Sequence, residues 1–197
     1  PLFSPVRQNE GLFDAIQASF TRLLGSGEYI LGPAVGEFEK ELAQLTGYSH
    51  TVGCSSGTEA LILALKALGL PPDSEVLTPA FSFVASASSI LWAGLNPVLA
   101  DVDLQTGIVT VAQLEAALTP KTRAVIAVDL YGRQVDVEAI RGFCKAHNLY
   151  LIEDGAQSIG VPHRGADFYT LSFYPTKNIG GIGDAGAIAT NELKWSQ

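Results

Sequence analysis

The sequence predicts a three-layer α/β fold, a mainly parallel sheet with helices on both faces and a last strand that runs antiparallel. Three observations predict it. From His50 onward, short apolar runs alternate with amphipathic segments of helical period, the pattern of repeated βα units. Several of those runs are apolar almost throughout, as strands covered on both faces must be. The 197 residues are 47% hydrophobic and 16% charged, enough apolar material for one sizeable core.

The elements follow in order. Leu12, Ile16, Phe20 and Leu23 fall on one helical face over 11–24, and Gly25, Gly27, Gly32 and Pro33 break the pattern. Val35, Phe38, Leu42 and Leu45 mark a second helix, with Gly47 at its end. Residues 1–48 are therefore expected as an N-terminal helical segment packed on a larger domain, 49–197. In that domain strands are expected at 51–54, 75–78, 97–100, 124–128 and 149–152, the last running into Glu153 and Asp154. Helices are expected between them at 58–68, 83–92, 111–118 and 137–147. The end differs: 169–173 and 186–190 read as strands joined by a Gly-rich turn at 180–186, with no helix. That makes the final strand a candidate to run antiparallel, an arrangement common at the edges of mixed sheets. Right-handed crossovers bring ligand groups to the carboxyl ends of the parallel strands.

Composition narrows the function. The net charge is -8, which disfavours nucleic-acid binding through neutralised phosphates. No apolar run reaches the roughly 18 residues of a membrane span, and no basic-then-apolar signal pattern opens the chain. Cys54 and Cys144 are too few and too far apart for a disulfide framework, so they are expected as small buried hydrophobes in a cytoplasmic protein. His50, His147 and His163 are scattered, and no metal site is expected.

Four constellations at expected strand ends can carry chemistry. Cys54 to Glu59 closes a strand and opens a helix, whose unpaired N–H groups and dipole suit a phosphate; an ordinary Ser or Thr cap reads the same way. Phe81 and Phe83 follow a strand and offer either a stacking aromatic or core packing. Glu153 and Asp154 end an apolar strand and point to opposite faces, so one of them enters a site. A buried Asp there can hold a heteroaromatic nitrogen protonated, whereas a solvated carboxylate can simply end the strand. Lys177 lies among apolar and small residues ahead of Gly180-Gly181, and burial makes an amine a better Schiff-base nucleophile; a lone lysine is otherwise a surface side chain. A phosphate seat, a stacking aromatic, an Asp for a pyridine nitrogen and an amine for an aldehyde are together what pyridoxal 5'-phosphate (PLP) requires.

The same segments carry a family resemblance. CSSGTEAL, TPAFSFVASA, PVLADVD, VDLYGRQVDVEAI, IEDGAQSIG, LSFYPTKN and GDAGAI occur in this order and span nearly the whole chain. Together they resemble the DegT/DnrJ/EryC1/StrS sugar aminotransferases, fold-type-I PLP enzymes of the aspartate aminotransferase superfamily. The resemblance implies that Lys177 holds the cofactor as an imine and, once freed, moves a proton between the amino donor's α-carbon and C4′. It implies that Asp154 pairs with the pyridine nitrogen, that Gln157 lies near the ring hydroxyl and that Phe83 stacks on the ring. Gly57 and Thr58 would give N–H groups to the phosphate, Ser172 a hydroxyl, and Ser56 and Asn178 complete the cofactor-binding set. A homodimer, glutamate as donor and a keto sugar nucleotide as acceptor are implied in the same way.

Two departures from the family pattern stand out. The connection 161–168 is several residues shorter than usual, and the family's small C-terminal domain has no counterpart before Gln197. A second reading is therefore a non-catalytic PLP-binding or dimerising fragment of such an enzyme. Sugar dehydratases of this family carry His in place of the lysine, and Lys177 argues against that role. A nicotinamide oxidoreductase fits poorly, because Gly53 to Gly57 lacks the G-x-G-x-x-G spacing.

Overall fold

The structure is a computed structural model that describes residues 4–160 and 165–196. Residues 161–164, half of the 161–168 connection and including His163, lie outside the described residues. Seven strands form one mixed sheet: β1 (His50–Cys54), β2 (Glu75–Pro79), β3 (Asn96–Ala100), β4 (Thr122–Val128), β5 (Tyr150–Asp154), β6 (Phe168–Ser172) and β7 (Gly186–Thr190). Their spatial order is β1-β7-β6-β5-β4-β2-β3. The block from β3 to β6 is parallel, and β7 runs antiparallel to both neighbours. β7 thus has the expected direction but lies one place in from the edge. β1 takes the edge and pairs antiparallel with β7.

Alternation along the central strands explains the three layers. Ala124, Ile126 and Val128 of β4 and Ile152 of β5 join one core, under α4 (Gly57–Ala67) and α5 (Ala85–Trp92). Val125 and Ala127, with Leu151, join the opposite core, under α6 (Val111–Ala117) and α7 (Val137–Ala146). Strands buried on both faces have no polar side to show, hence their continuous apolar sequence. α7 buries Val137, Ile140, Phe143 and Cys144, one stripe of a helix, and Asp136 caps its start by accepting from Ala139 N at 2.9 Å. Asp167 ties β6 into place: one of its oxygens accepts from Leu151 N at 2.8 Å and meets the Arg141 guanidinium at 2.7 Å.

Residues before β1 form α1 (Pro5–Asn9), a single 3-10 turn, α2 (Phe13–Ser26) and α3 (Pro33–Thr46). α3 packs on β1. Its Glu39 carboxylate accepts from Gly53 N at 2.7 Å, covering an N–H that an edge strand would leave bare. Gly47 ends α3 in the left-handed region, as its position in the sequence predicts, with its N–H on Ala43 O at 2.9 Å. α2 differs from expectation at its end. It runs through Gly25 and stops at Gly27, which takes the left-handed φ of 71° that Gly25 does not need. No residue of α2 is buried, and Leu12, Phe13, Phe20 and Leu24 stand exposed.

Among the described residues no helix is long and apolar enough to cross a membrane, and no three His, Cys, Asp or Glu side chains cluster as metal ligands. Both cysteines are free. Burial pushes the Cys144 thiol up to about 12 and that of Cys54 up to about 11, so both stay protonated at neutral pH.

Candidate active site

The carboxyl ends of β4, β5 and β6, the start of α4 and the loop after β6 enclose a cavity of about 530 Å³. That is the size of a small-ligand site. Eight of the nine residues singled out from the sequence line it.

Ser56, Gly57 and Thr58 form one wall. Ser56 caps α4: its hydroxyl oxygen accepts from Glu59 N at 3.1 Å, and its carbonyl accepts from Ala60 N at 2.9 Å. The N–H groups of Gly57 and Thr58 are the first-turn donors left over, at the positive end of an 11-residue helix. Two close approaches fix this wall. A β-carbon on Gly57 would lie 2.7 Å from Ser172 Cβ, so β6 delivers the Ser172 hydroxyl directly beside the helix start. A β-carbon on Gly186 would lie 2.3 Å from the Ser56 carbonyl, so β7 runs directly beneath. Only glycine allows backbones to pass this closely.

Asp154 faces the cavity from the end of β5. Its neighbour Glu153 is also buried, at 2% exposure, but does not line the cavity, as strand alternation requires. Asp154 is 7% exposed. Burial pushes its carboxyl up to about 6; the Ala156 N–H, at 3.0 Å from one oxygen, and the Lys177 amine pull it back, and the Asp129 carboxylate adds to the rise. Asp154 is thus a buried acid short of positive charge.

Gln157 is held by the turn Leu130–Gly132 that follows β4. Tyr131, at an unusual φ of 56°, donates its N–H to Gln157 Oε1, and Gly132 passes close to the Gln157 carbonyl. With Oε1 occupied by a donor, the amide NH2 is the end of Gln157 left for a ligand. The buried Asp129 braces this corner. Its two oxygens accept from Val135 N at 2.9 Å and from Ser158 Oγ at 2.6 Å. Tyr169 OH reaches the Ser158 carbonyl at 3.1 Å, and its ring occupies the space a Gly155 side chain would need.

Lys177 lines the cavity from the loop after β6, in a turn closed by its own N–H on Tyr174 O at 2.8 Å. Phe83 lies on the loop ahead of α5 at the mouth and is 64% exposed. Asn178 does not line the cavity. Its carbonyl faces Gln8 instead, 3.1 Å from the side-chain amide nitrogen.

Sequence reasoning left out several lining residues. Val128 and Leu130 make an apolar floor, and Asp184 adds a carboxylate. Asp184 sits inside the GDAGAI segment, so the signal was present without an assignment. Asp129 likewise sits inside the VDLYGRQVDVEAI segment without an assigned role.

The donor set suits PLP: unpaired N–H groups with a hydroxyl at one wall, a buried carboxylic acid, and an amine beside both.

The model of the DegT/DnrJ/EryC1/StrS aminotransferase family matches residues 12–196. The chain is 41% identical over 98% of its length to an Acidithiobacillus ferrooxidans protein named UDP-N-acetyl-3-dehydro-alpha-D-glucosamine 3-aminotransferase. It is 41% identical over 94% of its length to the Pseudomonas aeruginosa UDP-2-acetamido-2-deoxy-3-oxo-D-glucuronate aminotransferase, and 40% identical over 88% to the Bacillus subtilis 3-oxo-glucose-6-phosphate:glutamate aminotransferase. These matches cover 52%, 53% and 40% of the relatives, so the chain spans about half the length of the proteins it resembles. Among solved structures, S. venezuelae DesV in complex with a ketimine intermediate superposes with a TM-score of 0.96 at 36% identity, over all of this chain and 54% of that one. The B. subtilis NtdA structure with bound cofactor PMP superposes at 0.90 and 38% identity, over 93% of this chain and 43% of that one. By its matched length, its strand order and the cavity at its strand ends, the chain belongs to the DegT/DnrJ/EryC1/StrS aminotransferase family.

Proposed function

We propose that the protein is a PLP-dependent aminotransferase that moves an amino group from glutamate to a keto sugar nucleotide. One observation carries the reading: Lys177, the buried acid Asp154 and the unpaired N–H groups of Gly57 and Thr58 face a single cavity. Bound there, PLP supplies an electron sink for carbanion chemistry at the donor's α-carbon.

The chain's own residues do the rest. Gly57 and Thr58 N–H groups, with the Ser56 and Ser172 hydroxyls, hold the phosphate. Asp154, short of positive charge in its buried position, accepts from the protonated ring nitrogen and keeps it protonated. Gln157 donates its NH2 to the ring oxygen, since its carbonyl is occupied. Phe83 covers one face of the ring. Lys177 Nζ would hold the cofactor's aldehyde carbon and would move a proton between the donor's α-carbon and C4′.

The acceptor follows from the relatives. The A. ferrooxidans and P. aeruginosa proteins are named for 3-dehydro and 3-oxo sugar nucleotides, and the B. subtilis one for a 3-oxo sugar phosphate with glutamate. A nucleotide-linked sugar with its ketone at C3 is therefore the acceptor to test first. A homodimer belongs to the same reading, and the exposed apolar side chains of Phe83, Val84, Trp92 and Tyr131 are candidates for a second copy to cover.

The test is direct. PLP added to the purified chain should give a visible absorption band that borohydride bleaches, with the label on Lys177 by peptide mapping. No band, or a label elsewhere, defeats the proposal. Amine transfer from glutamate to a UDP-linked 3-keto sugar separates an enzyme from a fragment that binds PLP without turnover.

A further inference from the structure

We infer that Gln8, in the short helix α1, is a positioning residue for Lys177. The inference rests on the reading of Lys177 as the cofactor lysine, and adds a part of the chain that reading does not use. Gln8 lies 169 positions before Lys177, yet its side-chain amide nitrogen sits 3.2 Å from the Lys177 carbonyl and 3.1 Å from the Asn178 carbonyl. Both partners are acceptors, so the NH2 end must face them, one hydrogen to each. Among the described residues, no other donor reaches either carbonyl.

The rest of the loop explains why this matters. Phe173 O accepts from Gly181 N at 2.7 Å and Tyr174 O accepts from Lys177 N at 2.8 Å, which close the loop at its base and before the lysine. Between these two closures, residues 178–180 make no backbone–backbone bond among the described residues. Gln8 therefore fixes the side of the peptide from which Nζ is aimed at the cavity. α1 is built to present it: Pro5 opens the helix and the Ser4 hydroxyl oxygen accepts from Arg7 N at 3.4 Å.

Charge and reach separate this role from plain helix structure. Gln8 is exposed, and Ala and Glu are both good helix formers, so Gln8→Ala and Gln8→Glu should fold. Ala removes two donors. Glu also turns acceptor oxygens on two carbonyls, so it should do more harm than Ala.

The experiment uses the whole chain in two states. In the cofactor-free protein, hydrogen exchange is followed by mass spectrometry in peptides covering 174–181. Exchange there should rise about five-fold in Gln8→Ala, the equivalent of one modest hydrogen bond, and further in Gln8→Glu. In the loaded protein, the apparent Kd for PLP should rise in the same order. Wild-type exchange in both variants overturns the inference, as does Glu acting no more strongly than Ala. These outcomes differ from failure of the cofactor reading, which would show as absent labelling of Lys177 in the unaltered chain.

Discussion

Gly57 and Ser172 stand so close that a methyl group on the glycine would lie 2.7 Å from the serine β-carbon. Carbon atoms do not approach like this, so Gly57→Ala must push α4 away from β6 or turn Ser172 aside. Either change separates the helix N–H groups from the hydroxyl that shares their wall. The variant should fold, because Ala suits the first turn of a helix. Its PLP affinity should fall by ten- to roughly a hundred-fold, as expected for a misplacement near 1 Å in a preorganised site. Spectral titration with PLP measures this, and affinity within two-fold of the original contradicts the packing argument.

Ser56 offers a sharper test of the phosphate seat. Asp is as good a helix cap as Ser, so Ser56→Asp should keep the bond to Glu59 N and hold stability within about 0.5 kcal/mol. The new carboxylate faces the place assigned to the phosphate. Like charges at this range should weaken PLP binding at least about ten-fold. Pyridoxal without its phosphate should be affected less than about three-fold. Equal losses for both ligands would show that Ser56 does not face the phosphate.

Tyr169 supports the corner that carries Gln157. Its OH bonds the Ser158 carbonyl at 3.1 Å, and its ring stacks on Tyr48 with centroids 6.0 Å apart. Tyr169→Phe keeps the ring and removes the bond to the buried Ser158 loop. Stability should fall by about 1–2 kcal/mol, the cost of an unmet buried acceptor, as read from urea unfolding. An unchanged midpoint would place the support of that loop elsewhere.

How much of this was legible in the sequence depends on range. β4 and β5 were legible because their runs of Ala, Val, Leu and Ile fit strands covered on both faces. α7 was legible because Val137, Ile140, Phe143 and Cys144 keep one stripe. The direction of β7 followed from a connection with no helix, but its place between β1 and β6 did not. β1 pairs with β7 across more than a hundred residues, which no local pattern records. In the site, Asp154 and Lys177 stood out through their apolar surroundings. Asp129 and Gln8 did not, because what makes them matter is a partner elsewhere: Ser158 and Val135 for one, two carbonyls after β6 for the other. The sequence pattern starts α5 two residues early, and the difference has a consequence. The helix starts at Ala85, so Phe83 lies on the loop that reaches the cavity.

Asp154 should make the cofactor-free protein pay for its cofactor site. Its carboxyl is pushed from 3.8 to about 6 in the folded chain. In the unfolded chain it ionises near 3.8, so between these values the folded state holds a proton that the unfolded state has lost. Stability therefore falls as pH rises through that window, and above it the cost is complete, on the order of 3 kcal/mol. Asp154→Asn keeps an acceptor for Ala156 N and removes the charge. Without PLP, the variant should be more stable than the original at pH 8 and should lose that advantage by pH 4. With PLP the order should reverse, because Asn cannot hold the ring nitrogen protonated, and binding protects only the original strongly. Thermal unfolding of both proteins at pH 4 and pH 8, with and without PLP, reads all four corners. A variant no more stable than the original at pH 8 without PLP would mean that Asp154 is not a strained acid in the empty site.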